Sequence, residues 1–125
     1  MATGSENIIY SLIGDVGGTN TRLQLISFTK DSSSPQVIKT HFYKTQEAKS
    51  LSECLADFLK EFKNTEKYPQ NATLAVAGAP YEGRVTLPNT PWPTLDEKEL
   101  EQEFQISPFA LINDFVAIGY SMIKV

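Results

Sequence analysis

Apolar positions recur along the chain in two distinct periods. "IIYSLIG" (8–14) and "TRLQLISF" (21–28) are β-branched or alternating runs. In the second, Leu23, Leu25 and Ser27 face one way and Arg22, Gln24 and Ile26 the other, the two-residue period of a strand with a partly polar face. The runs flank adjacent glycines, Gly17 and Gly18, and so predict a hairpin whose turn can adopt positive φ. After the loop signal "KDSSSP", "QVIKTHFYK" (36–44) resumes as a third strand. "SLSECLADFLKEF" then switches to helical spacing, with Leu51, Leu55, Phe58, Leu59 and Phe62 on one face and a capping-box pattern in Ser50 and Glu53.

The second half alternates strand and helix. "NATLAVAGAP" (71–80) predicts a buried strand running into a loop, and "YEGRVTLPNTPWP" an irregular segment with at most a short extended pair. "TLDEKELEQEF" repeats the capping-box pattern with Thr94 before Glu97 and predicts a second helix; its acidic residues form a solvated face. "PFALIN" is a fifth strand, and "DFVAIGYSM" a third helix, with Phe115, Ile118 and Met122 at helical spacing. Three meandering strands followed by alternating helices and strands, in the order βββαβαβα, predict an α/β fold on a mixed five-stranded sheet, antiparallel at the start and parallel afterwards. The third helix is still running at Val125, without a capping glycine or proline, so a longer chain is expected.

Composition narrows the setting. A length of 125 residues fits one domain, and a formal charge of −4 with no basic cluster argues against a nucleic-acid partner. No segment reaches the apolar length of a membrane span, and "MATGSENIIYSLIGD" lacks a signal-peptide pattern, so a cytoplasmic protein with no membrane partner is expected. The single cysteine, Cys54, excludes an internal disulfide and flanks the first helix's apolar stripe as a packing residue. "NAT" at Asn71 reads as a chance glycosylation sequon, and His41 as an edge-strand histidine.

Two polar constellations carry candidate chemistry. In "GDVGGTNTR", adjacent glycines bring backbone amides together without side chains in the way, and Asp15 beside them suits a magnesium ion. On its own the tetrapeptide also fits an ordinary hairpin; it is neither a Walker loop, since no Gly-Lys-Ser/Thr follows, nor a Rossmann fingerprint, since a strand comes next. In "LINDF", Asn113 and Asp114 sit where a strand feeds a helix, the end of an open α/β sheet at which ligands bind. A carboxylate in a helix's first turn is held ionised, ready to accept a hydroxyl proton, and it equally suits a plain N-cap.

The string "DVGGTNTR", then "VAGAP", then "LPNTPW", then "LINDF", in this order over residues 10 to 122, resembles the bacterial-type glucokinase family, within the sugar kinases that share an actin-like fold. The resemblance implies an actin/hexokinase-like (ribonuclease H-like) domain in which residues 1–125 form the N-terminal lobe, with a second lobe beyond them. It implies that Asp15 holds Mg2+ through water, that Gly17, Gly18 and Thr19 cradle the ATP phosphates, that Asn20 braces the turn and that Arg22 approaches the phosphates. It further implies that Asn113 bonds a sugar hydroxyl, that Asp114 is the general base for the 6-hydroxyl of glucose, and that Gly78 and Asn89 line the hexose with Trp92 close by. The partners implied are glucose, ATP and the missing C-terminal lobe; a homodimer is compatible with them. An actin-like ATPase without a sugar substrate and a non-catalytic sugar-sensing lobe are the alternatives from other classes.

Overall fold

A computed structural model describes residues 8–29, 34–88 and 90–113. Strands β1 (Ile8–Val16), β2 (Asn20–Thr29) and β3 (Gln36–Lys44) form the antiparallel meander, followed by a short 3-10 turn, Thr45–Glu47. Helix α1 (Leu51–Leu59) leads to β4 (Asn71–Val76); the two-residue strands β5 (Arg84–Val85) and β6 (Leu95–Asp96) precede α2 (Glu97–Phe104) and β7 (Phe109–Asn113). The main sheet has the order β3-β2-β1-β4-β7, with β1 parallel to β4 and β4 parallel to β7. This is the mixed five-stranded sheet that the period change along the sequence predicts. The predicted third helix, over 114–122, lies outside the described residues.

One face of the sheet carries the core. Leu12 on β1, Leu23 and Leu25 on β2, Leu74 and Val76 on β4 and Leu111 on β7 pack with Leu51, Cys54, Leu55, Phe58 and Leu59 of α1. Truncating a fully buried phenylalanine such as Phe58 costs about 3–5 kcal/mol in comparable cores. Helix α1 starts where the capping pattern says: the Glu53 N–H donates to Ser50 Oγ at 3.1 Å, while the Glu53 carboxylate accepts the Lys49 N–H at 2.7 Å. The edge strand β3 is tied to α1 by Tyr43, whose hydroxyl donates to Asp57 at 2.7 Å. Lys39 adds a second tie, its ammonium 5.0 Å from the Phe58 ring centroid and 2.7 Å from Glu61.

Three expectations are corrected here. The cap of α2 is Asp96, whose carboxylate accepts the N–H groups of Lys98 and Glu99 at 2.9 and 3.2 Å. Thr94 instead shares a hydrogen bond with Thr86 at 2.7 Å, because residues 95 and 96 are drawn into the β5–β6 pair, and a carboxylate caps as well as a hydroxyl. The acidic face of α2 is not merely solvated. Glu97 accepts the N–H of Leu111 at 2.7 Å and Glu101 that of Phe109 at 3.0 Å, which satisfies outward-facing donors of the edge strand β7. Finally, neither Gly17 nor Gly18 has positive φ; among the described glycines that conformation belongs to Gly83 (φ 78°).

Candidate functional site

The parallel pairing of β1, β4 and β7 sets their carboxyl ends side by side, which gathers three sequence-predicted segments at one edge of the sheet. The first is the turn at residues 17–19, closed by the Gly17 N–H donating to the Asn20 carbonyl at 3.0 Å. Asn20 thus holds the turn through its main chain. On the strand entering the turn, Gly14 is required by contact: a Cβ there would lie 2.4 Å from the Arg22 carbonyl oxygen. At Gly17 a Cβ would meet the Asn20 carbonyl at 3.2 Å. Without positive φ, the glycine at 18 is not demanded by its own backbone conformation.

Asp15 and Arg22 are cross-strand partners beside the turn, and their carboxylate and guanidinium meet at 2.6 Å. Both remain partly exposed, and Arg22 Nε is buried without a hydrogen-bond partner. A single hard oxygen donor beside the glycine turn fits a magnesium ion of the kind that keeps most of its waters. It does not fit an all-protein cage, and the described residues hold no cluster of three or more metal-binding side chains.

The carbonyls of the turn are held from behind by the segment that follows β3. Thr45 Oγ1 donates to the Gly17 carbonyl at 2.8 Å, the Thr45 N–H to the Thr19 carbonyl at 3.0 Å, and Gln46 Nε2 to the Gly18 carbonyl at 2.8 Å. Thr45 and Thr21 are both fully buried and share a hydroxyl hydrogen bond at 2.9 Å. Motif reading passes over Thr45 and Gln46 because neither belongs to a contiguous pattern. The signal that finds them is register: Asn20 pairs with Lys44, so the residue after β3 must lie beside the turn before β2.

The other two segments meet through Asn113 at the end of β7, whose side-chain amide donates to the Gly78 carbonyl just past β4 at 2.5 Å. A Cβ at Gly78 would come within 3.0 Å of Val85, so this loop packs closely against β5. Trp92 is buried in the core, its indole N–H donating to the Ala48 carbonyl at 3.0 Å; it anchors its loop to the end of the 3-10 turn rather than offering an open ring face. Asp114 and Asn89 lie outside the described residues.

Residues outside this edge take plainer roles. Burial, followed by the charges of Glu53 and Asp57, pushes the Cys54 thiol up to about 11, which suits packing and not nucleophilic attack. His41 is exposed on the edge strand and its ring lies 4.5 Å from that of Tyr43.

Comparison with solved structures places this architecture. Glucokinase from an Antarctic psychrotroph superposes with a TM-score of 0.77 at 31% identity, over 89% of this chain and 34% of that one. Glucokinase from Balamuthia mandrillaris in complex with glucose gives 0.64 at 25% identity, over 91% and 32%. A hexokinase from Schistosoma mansoni, at 19% identity and a TM-score of 0.53, speaks for the fold alone. The fold is therefore that of the actin-like ATPases and sugar kinases. The glucokinase family model matches residues 12–125, and the chain belongs to that family. Glucokinases of Nostoc punctiforme and Caulobacter sp. strain K31 are 37% and 35% identical over 111 and 115 residues, 89% and 92% of this chain. The chain spans about a third of the length of these relatives, 31% and 33%.

Proposed function

We propose that the chain is the N-terminal lobe of an ATP-dependent glucokinase, which transfers the γ-phosphoryl group of ATP to the 6-hydroxyl of glucose and so opens glycolysis in the cytoplasm. The observation that carries this reading is the turn at residues 17–19, with its carbonyls tied back to one segment, set at the sheet edge shared with Asn113 and Gly78. The backbone of Gly17, Gly18 and Thr19 binds the phosphates, and Arg22 adds positive charge close by. Asp15 would hold Mg2+ through water, which supplies charge neutralisation on the phosphate oxygens.

On the sugar side, Asn113, Asn89 and Gly78 position the hexose and Asp114 acts as general base. Oxygen 6 of glucose forms its bond to the γ-phosphorus as the bond to the bridging oxygen of ADP breaks, and the hydroxyl proton passes to the Asp114 carboxylate. Transfer of this kind is governed chiefly by positioning and charge stabilisation, with the base accepting its proton late. Buried groups that bond sugar hydroxyls reject analogues lacking them, because the protein's own polar groups would be left unpaired.

The test is ADP release by the full-length protein with and without glucose, wild type beside Asp114→Asn. Glucose-dependent release that falls by about 10²–10⁴-fold in the variant is expected for loss of a general base. Release indifferent to glucose would point to an ATPase, and glucose binding without release to a sugar sensor.

A further inference from the structure

We propose that Thr45 and Gln46 are positioning residues of the phosphate turn, acting through its peptide planes. The proposal rests on the reading of that turn as the ATP-phosphate cradle. In a planar trans peptide the C=O of one residue and the N–H of the next point in opposite directions. Thr45 Oγ1 holds the Gly17 carbonyl at 2.8 Å, which aims the Gly18 N–H away from Thr45. Gln46 Nε2 holds the Gly18 carbonyl at 2.8 Å, which aims the Thr19 N–H away from Gln46. The Thr45 N–H fixes the Thr19 carbonyl at 3.0 Å as well, so all three carbonyls of the turn are tied to one short segment and its amide edges face the other side.

Neither residue touches the phosphates in this arrangement; they determine where the donors point. Glycines would otherwise leave the turn free among many conformations, and ordering it on each binding event would weaken affinity. Thr45 is suited to the task because it is itself locked, fully buried and bonded to the equally buried Thr21 hydroxyl at 2.9 Å. Gln46 is exposed and holds a single carbonyl of the turn, so its share is smaller.

The test uses the full-length protein with Thr45→Val, Thr45→Ser, Gln46→Ala and, as a control, Tyr68→Phe. The control removes a hydroxyl that donates to the Phe104 carbonyl, remote from the site. The readouts are KM for ATP, KM for glucose, and the rise in melting temperature on adding MgATP, each beside the melting temperature of the free protein. One well-formed hydrogen bond is worth about 1 kcal/mol, so Thr45→Val is expected to raise KM for ATP about five- to tenfold and shrink the MgATP shift, with KM for glucose within about twofold. Thr45→Ser restores most of the loss, Gln46→Ala shows a smaller effect in the same direction, and Tyr68→Phe lowers the melting temperature without moving KM for ATP.

An unchanged KM for ATP in Thr45→Val, or an equal rise in Tyr68→Phe, overturns the proposal. If Thr45→Val does not fold, Thr45→Ser and Gln46→Ala decide by the same readouts. A wild type that binds MgATP but turns over without regard to glucose removes the sugar-kinase reading while leaving the MgATP shifts to judge the two residues.

Discussion

Two tight turns, each containing glycine, sit in this domain and are built on opposite principles. In the turn at residues 81–84, Tyr81 and Arg84 exchange backbone hydrogen bonds at 2.8 and 3.1 Å while Glu82 and Gly83 take φ of 53° and 78°. That is the two-residue hairpin geometry with positive φ at both central positions, which favours glycine; Gly83 takes one of them and Glu82 bears the other. The turn at residues 17–19 has no positive φ at its glycines, and its shape is imposed from outside by Thr45 and Gln46. Positive φ accounts for glycine at 83 and does not account for glycine at 18, where the proposed phosphate cradle supplies a reason. On the proposed function, the contrast separates a turn that serves the fold from one that serves a ligand.

The sharpest break in that comparison should come upstream of the second turn. Gly14→Ala forces a Cβ to 2.4 Å from the Arg22 carbonyl, so the β1–β2 pairing that carries both Asp15 and the turn must shift. A loss of about 3 kcal/mol or more is expected, read as a large fall in melting temperature of the full-length protein. Gly18→Ala, next in size, is expected to leave melting within about 0.5 kcal/mol of wild type while glucose-dependent ADP release drops on the order of 100-fold, since a side chain enters the cradle. Gly83→Ala reverses the pattern. The strained φ and a Cβ 2.9 Å from Glu97 Oε1 predict a stability loss of about 1–2 kcal/mol with KM for ATP unmoved.

The smallest effect concerns the tie between β3 and α1. Hydrogen bonds from Tyr43 and then Lys60 hold the Asp57 carboxyl below the usual carboxylate range. A depressed folded value means that the stabilisation is complete above the unfolded pKa of about 4 and is lost as pH falls through the lower folded value. Because Asp57 is half-exposed, Asp57→Asn should cost less than about 1 kcal/mol at pH 7 and flatten the acid limb of the stability profile below pH 4.

Much of this was legible in the chain. The strand period of β2 and the helical period of α1, with Ser50 as its cap, follow from spacing that only one burial face can satisfy. The motif order pointed to the family before any coordinates. What escaped was non-local. The spacing offers Thr94 as the cap, and the β5–β6 pairing moves the cap to Asp96, two residues on. Glu97 and Glu101 look solvated in a helical wheel until β7 brings unpaired N–H groups to them. Thr45 has no motif at all; only the β2–β3 register puts it behind the turn. Trp92 stands in a segment that resembles a sugar-kinase motif, yet its ring is spent on the core.

The most direct test measures melting temperature and glucose-dependent ADP release side by side in full-length Gly18→Ala and Gly83→Ala. The account predicts that Gly18→Ala melts with wild type and loses release, while Gly83→Ala melts lower and retains it. Full release in Gly18→Ala, or losses in both variants that simply follow their stability, would contradict the assignment of residues 17–19 as the phosphate cradle.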